Sequence, residues 1–390
     1  MKIFKYLFVL TLLNSCGEND SNVDKSKTQI TQPKTKEVIH STTSDIKKNH
    51  LYNDISLVIA GMNNPRGGNY GDISASNAFK EYNNKIDKSY EKFKLNKLKN
   101  FEKWSELELE DRMENTENLF YPFSGPDIAY AYSMIPSANN YYLFGLEPVG
   151  DIPNLDGFKT NTLPALFSSI NCAISDNLNL SFFITKNMKT DLSNQQIKGT
   201  IPVLLFFMSR MDLHIQNIAP VSISEEGNIE YDKEDKFHSG VEITFIRKGS
   251  KKINKVYYFS MDISNYNSET DINLRKLTES MNNVTTLVKS SSYCMHTDKY
   301  ADIRELTLNC SDVIVQDDTG IPLNFFDSQQ WRIDVYGSYV SPISVFSMHK
   351  QQDLKDLIKK SAKAIDFRFG YNYPSNILVG RKNEDHGHTD

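Results

Sequence analysis

A chain of 390 residues with 39% hydrophobic and 24% charged side chains and a formal net charge of −5 is neither a disordered polymer nor a multi-span membrane protein. Its 22 Phe and 20 Tyr carry enough large apolar surface for a sizeable core. Mild acidity without a clustered basic excess argues against nucleic acid as a partner.

Met1 to Ser15 carry Lys2 and Lys5, an apolar stretch from Tyr6 to Leu13, and small or polar residues ahead of Cys16. This is the plan of a secretory signal, 1–15, and its apolar part is too short for a bilayer, which needs about 20 residues. Leu13-Asn14-Ser15-Cys16 resembles a bacterial lipoprotein box. The resemblance implies cleavage before Cys16 once its sulfur has received a diacylglycerol; an ordinary secretory signal beside a chance cysteine is the alternative. Two or three acyl chains, palmitate among them, make a stable anchor, because each buried CH₂ contributes about 0.8 kcal/mol. Gly17 stands where an inner-membrane retention signal would place Asp, which favours the outer membrane. The expectation is a lipid-anchored protein of the bacterial cell envelope, with the membrane as its first partner.

Residues 16–50 read as a lipidated tether. The 34 residues from Gly17 to His50 contain five aliphatics and no aromatic, too little apolar surface to offset the entropy of ordering. As a flexible coil they reach roughly 30 to 35 Å. Beyond the tether two lobes are expected: 51–225, rich in helix and holding a first β-α-β unit, and 226–385, an α/β lobe with a hairpin and a second unit. Residues 386–390 read as a frayed tail, with His386 and His388 too isolated for a metal site.

A short helix from Asp54 to Ala60 ends at Gly61. Phe79, Tyr82, Ile86, Tyr90 and Phe93 then repeat at helical spacing, followed by Leu98, Phe101, Trp104 and Leu107 at steps of three. The stripe predicts a core-facing surface, with charged residues opposite. Asn118 to Phe123 reads as a strand, Ile128 to Met134 as a helix and Tyr141 to Leu146 as a second strand. Between them, Ser124 stands where a strand hands over to a helix N-terminus, a place suited to an anion or a carbonyl. Ser124 and Asp127 also have the spacing of a capping box, which accounts for both without a ligand.

Leu163 to Ser224 reads as mostly helical, with Pro202 to Met208 as a buried helix and His214 as a packed or capping group in its continuation. Val241 to Phe245 and Val256 to Ile263 form a hairpin whose tip carries Arg247, Lys248, Lys251 and Lys252; a solvated tip is the expected reading. The second β-α-β unit runs from Val284 to Val288, through a helix around Ile303 to Leu306, to Val313 to Gln316. Asp317 and Asp318 then close that strand in a turn, although paired carboxylates also suit a divalent cation. Trp331 to Val335, a short helix around Leu354 to Ile358, and a last strand at Ile365, Phe367 and Phe369 complete the pattern. The fold class is therefore α/β, a mixed sheet built from two β-α-β units plus an antiparallel hairpin, with an α-rich N-terminal half.

Tyr121-Pro122-Phe123-Ser124-Gly125-Pro126-Asp127, Gly145-Leu146-Glu147-Pro148-Val149-Gly150 and Gln316-Asp317-Asp318-Thr319-Gly320-Ile321-Pro322 resemble a family of uncharacterised bacterial lipoproteins, as do Lys289-Ser290-Ser291-Ser292-Tyr293 and Tyr336-Gly337-Ser338-Tyr339. The resemblance implies membership and no activity.

Of the cysteines left after acylation, Cys294 with Cys310 is the easier disulfide, Cys172 lying in a segment that reads as a buried helix; three reduced, buried thiols are the equal alternative. Ser89-Tyr90-Glu91-Lys92 and Ser175-Asp176-Asn177 occur in the order of penicillin-binding enzymes, but no K-T-G follows. Zinc-peptidase, α/β-hydrolase, P-loop and dinucleotide motifs are absent, so neither a cofactor nor a metal is expected. Two roles remain. One is a body that binds an envelope protein or polymer. The other is an envelope hydrolase or transferase drawing on Ser124, Asp127, Glu147, Lys289, Asp317 and Asp318, which sit at strand ends where α/β sheets gather ligands.

Overall fold

The computed structural model describes residues 43–64, 68–159, 161–183, 187, 197–231, 240–265 and 268–383. The signal at 1–15, Cys16, most of the tether and the tail with His386 and His388 lie outside the described residues.

Among the described residues ten strands form one mixed sheet: β1 (Asn118–Tyr121), β2 (Asn140–Gly145), β3 (Leu213–Ile223), β4 (Ile229–Tyr231), β5 (Gly240–Arg247), β6 (Ile253–Ser260), β7 (Val284–Val288), β8 (Val313–Gln316), β9 (Trp331–Gly337) and β10 (Asn376–Lys382). Their order is β4-β3-β5-β6-β2-β1-β7-β8-β10-β9. The five central strands, β6 to β8, pair in parallel, and both flanks are antiparallel.

Central strands are covered on both faces, which is why they read as continuous apolar runs. Side chains alternate between two cores. Leu119, Tyr121, Leu287, Val313 and Val315 enter one, whereas Phe120, Val284, Val288 and Ile314 enter the other. The first core is roofed by helices α1 (Thr43–Ile59), α3 (Asn77–Phe93), α4 (Lys99–Glu108), α6 (Ile128–Met134), α7 (Leu163–Leu180) and α8 (Ile201–Arg210), with α2 (Gly71–Ala75) and α5 (Glu110–Asn115) between them in the chain. The second is roofed by α9 (Ser268–Glu279), α10 (Ala301–Cys310) and α11 (Gln352–Ser361).

Both expected β-α-β units are present, as β1-α6-β2 and β7-α10-β8. The first steps one way along the sheet and the second steps the other way. Right-handed crossovers therefore place α6 and α10 on opposite faces, as observed, and leave a switch point between β1 and β7.

Several expectations need correction. The helix at the start of the body begins at Thr43 rather than Asp54 and takes in the end of the expected tether. Ile55, Val58 and Ile59 bury against the first core, and this packing sustains a helix that composition alone would not. Between α3 and α4 a π-turn, Lys94–Leu98, absorbs the five-residue step from Phe93 to Leu98 and keeps both side chains on the buried face. Leu107 is 78% exposed and lies outside that stripe.

Residues 213–223 are strand β3, not helix, and His214 is exposed at its start. The boundary expected at 225/226 does not divide the sheet, because β3 and β5 pair across it. The expected strand at Ile365 to Phe369 is a loop over the sheet edge, where Phe367 and Phe369 pack against Phe101. The last strand is instead β10, inserted between β8 and β9.

Candidate functional site

The carboxyl ends of β1, β2, β7, β8 and β9 share one edge, since β9 is antiparallel to β10, which is antiparallel to β8. All six candidate residues lie in the loops leaving that edge, as do the five segments singled out above.

At the end of β1, Pro122 cannot donate a ladder hydrogen bond. Ser124 restores the link to β2: its Oγ accepts from Phe144 N at 2.9 Å and lies 3.1 Å from Phe144 O, to which it donates. Ser124 is therefore not the helix cap. Asp127 is the N-cap of α6, its Oδ1 accepting from Tyr130 N at 3.4 Å. The reciprocal box fails because Ser124 is engaged across the sheet. Glu147 is buried, and its carboxylate lies against Gly125 and Gly145 and beside the Tyr258 hydroxyl. A Cβ at Gly145 would come within 2.6 Å of Glu147 Oε2 and 3.0 Å of Gly125 Cα, so the loops after β1 and β2 need that glycine to approach.

Across the switch point, Lys289 at the end of β7 pairs with Asp127 Oδ2 at 3.0 Å. Both side chains are at most 3% exposed. Lys289 also donates to Ser181 O at the end of α7 and lies 4.0 Å from the Tyr130 ring centre, while Tyr121 Oη donates to Asp127 Oδ2 at 3.1 Å. The pair is thus hydrogen-bonded on all sides, the condition for burying charge without a large penalty.

Beyond Lys289 the chain turns through Ser290, Ser292 and Tyr293, all with φ between 55° and 57°, a left-handed run without glycine. Asp317 and Asp318 hold it there. Asp317 accepts from Ser290 N (3.0 Å), Thr319 N (3.0 Å) and Thr319 Oγ1 (2.5 Å). Asp318 accepts from the Tyr293 hydroxyl, from Asn372 Nδ2 (2.9 Å) and from Asn376 Nδ2 (2.9 Å). Burial raises both carboxyls above the usual aspartate range, and for Asp317 the charge of Asp318 adds to the effect. Gly370, at φ +72°, passes so close to Asp317 that a Cβ would collide with its Oδ2. These oxygens are occupied by donors from three loops, the arrangement of a turn and not of a cation site. Among the described residues no group of three or more His, Cys, Asp or Glu side chains is placed to hold a metal ion.

Next to the acid pair lies a cluster that sequence reasoning missed. Tyr293 stacks on His349 with ring centres 5.2 Å apart, and His296 meets His349 edge-on at 5.1 Å. Burial lowers the His296 pKa to about 4, aided by His349, whose own pKa is lowered by burial. Both imidazoles face an open depression of about 460 Å³, bounded also by Asn324, Lys350 and Asp353. The two histidines are 53 positions apart in the chain, so no spacing signal marks them.

The expected Cys294–Cys310 disulfide is absent and both thiols are free. Cys294 sits by Tyr300, just before α10, and Cys310 ends that helix. Cys294 lies in a separate 3-10 turn, Cys294–His296, seven residues ahead of the helix that Cys310 ends. Burial pushes both thiols up to about 11. Cys172, expected to be buried, is exposed on α7.

Fold and site together define an α/β protein with polar loops converging at a switch point. No protein-family model, curated protein or solved structure matches this chain.

Proposed function

We propose that this chain is a bacterial envelope lipoprotein, anchored at Cys16 and favouring the outer membrane, whose α/β body binds a partner protein or envelope polymer through the loops at the carboxyl edge. The observation that carries the binding reading is the state of the candidate residues. They gather at one edge, yet Ser124, Asp127, Lys289, Asp317 and Asp318 are buried and taken up by caps, turns and an ion pair. Such groups rigidify a surface. On the same loops Leu146, Val340, Val345, Met348 and Tyr373 are at least half exposed, at 54%, 62%, 50%, 75% and 83%, and offer apolar side chains to a partner.

The anchor is tested by feeding labelled palmitate to producing cells. Label should enter the wild-type chain and be lost, with release from the outer-membrane fraction, in Cys16→Ala. An unlabelled wild type that washes free of vesicles would overturn it. For binding, full-length Cys16→Ala should still sediment with isolated envelopes, and Met348→Glu with Tyr373→Glu should abolish that; unchanged sedimentation would remove the loop face from consideration.

The alternative, an envelope hydrolase or transferase, draws support from the raised carboxyl of Asp317, since acids tuned toward neutrality serve proton transfer. Turnover of cell-wall or lipid substrates that disappears in Asp317→Asn, with folding intact, would favour it over binding alone.

A further inference from the structure

Two cations serve the end of α7, and the loop carrying a third, Arg368, packs beside them, with Tyr371 on Phe182 at 4.7 Å and Phe369 at 6.3 Å from Tyr130 between ring centres. Lys97 Nζ donates to Leu178 O at 3.1 Å and Asn179 O at 2.6 Å, and Lys289 Nζ donates to Ser181 O, so both serve the negative end of the helix. Arg368, on the loop that covers the sheet edge, does neither. Its hydrogen bond to Tyr371 O is 3.5 Å long, and its Nε is buried without a partner. Among the described residues no carboxylate pairs with Arg368; Asp127, the carboxylate of this neighbourhood, is bound to Lys289.

Tyr130 joins these groups. Its ring lies beneath Lys289, and its hydroxyl faces Ser181 within range of the Arg368 charge. Tyr130 Oη and Ser181 Oγ are buried, in fully enclosed residues, and beyond their approach to each other neither has a hydrogen-bond partner. Buried polar atoms left unsatisfied in this way point to a small polar species that completes them. Two hydroxyls and a guanidinium edge are all donors to oxygen, and Nε with one Nη forms a fork matched to two oxygens of one group.

We propose that Arg368, with Lys97 beside it and the Tyr130 and Ser181 hydroxyls beneath, binds an oxyanion, the carboxylate or phosphate of a ligand that enters at the carboxyl edge. The proposal rests on the reading of that edge as a binding face and names the chemistry of what it takes. An anion there balances three positive charges that share one carboxylate among the described residues. It also relieves Lys97, whose pKa is lowered to about 8 by burial first and by Arg368 and Lys289 next.

The test uses the full-length chain carrying Cys16→Ala, titrated with inorganic phosphate and with acetate, sodium chloride matching the ionic strength, and heat of binding and thermal midpoint as readouts. Saturable binding of either anion is expected, weakened about tenfold or more by Arg368→Gln, less by Arg368→Lys, which keeps the charge and loses the fork, and measurably by Lys97→Gln on a half-exposed side chain. Absence of saturable binding in the parent chain, or binding indifferent to both Arg368→Gln and Lys97→Gln, overturns the site. Phosphatidylglycerol vesicles form a third arm: sedimentation that phosphate competes away assigns a lipid headgroup, and none assigns a free solute. Envelope sedimentation retained without anion binding sinks this site alone, whereas anion binding without envelope sedimentation sinks the parent reading alone.

Discussion

Two buried ionic sites lie at the same sheet edge and solve the same problem in opposite ways. Asp127 and Lys289, 162 positions apart, neutralise each other at 3.0 Å across the switch point. Asp317 and Asp318 are sequence neighbours of like charge, kept by donors from Ser290, Thr319, Tyr293, Asn372 and Asn376 and by raised proton affinity. The first holds by opposite charge. The second holds by hydrogen bonding, and so depends on pH where the first depends on its partner.

The largest effect should come from breaking the first site. Lys289→Met leaves Asp127 buried and unpaired and is expected to cost about 3 to 5 kcal/mol in urea unfolding. Adding Asp127→Asn should recover much of that loss, as coupled neighbours do. Additive losses would show that the two residues do not act as a pair.

A smaller effect separates the second site through pH. A carboxyl raised in the fold, as Asp317 is, stabilises most below the ordinary aspartate pKa and loses that contribution as pH rises through its raised value. His296 runs the other way. Its folded pKa of about 4 lies below the ordinary 6.5, so its contribution is present above 6.5 and is lost as pH falls toward 4. Urea unfolding between pH 4 and 6.5 should show His296→Gln losing about 3 kcal/mol of the wild-type rise with pH, while Asp317→Asn rises more steeply than wild type. Parallel profiles for all three would refute both assignments.

The smallest effect probes the loop beside the first site. Ser124→Ala removes both hydrogen bonds to Phe144 and should cost about 1 to 2 kcal/mol. Asp127→Ser, which retains a capping oxygen, separates the cap from the bridge: helix α6 should hold while the ion pair to Lys289 is lost, and fraying of α6 in Ser124→Ala would show instead that Ser124 is the cap.

Much of the architecture was legible. Both β-α-β units, the hairpin and the aromatic stripe rest on local periodicity and recur near their expected places, the second hairpin strand three residues earlier than expected and the stripe without Leu107. Strand β3 was missed although Leu213, Ile215, Val221 and Ile223 carry apolar marks, because a bulge between Ile215 and Asn217 breaks the alternation. Strand β10 was missed because Ile377-Leu378-Val379 is short, while the alternation at Ile365, Phe367 and Phe369 lies in unpaired chain. The six candidate residues were found from their positions at strand ends. The histidine cluster and Arg368 escaped because their partners come from distant segments and no spacing joins them.

Local pattern by itself determined the α/β class, the parallel units and the amphipathic stripe, since period and turn chemistry act over a few residues. Tertiary structure alone decided that β10 inserts between β8 and β9, that Asp127 finds Lys289, that the thiols stay apart and that no carboxylate among the described residues pairs with Arg368. Those outcomes depend on which distant segments share an edge, and that is settled only when the whole sheet buries both its faces.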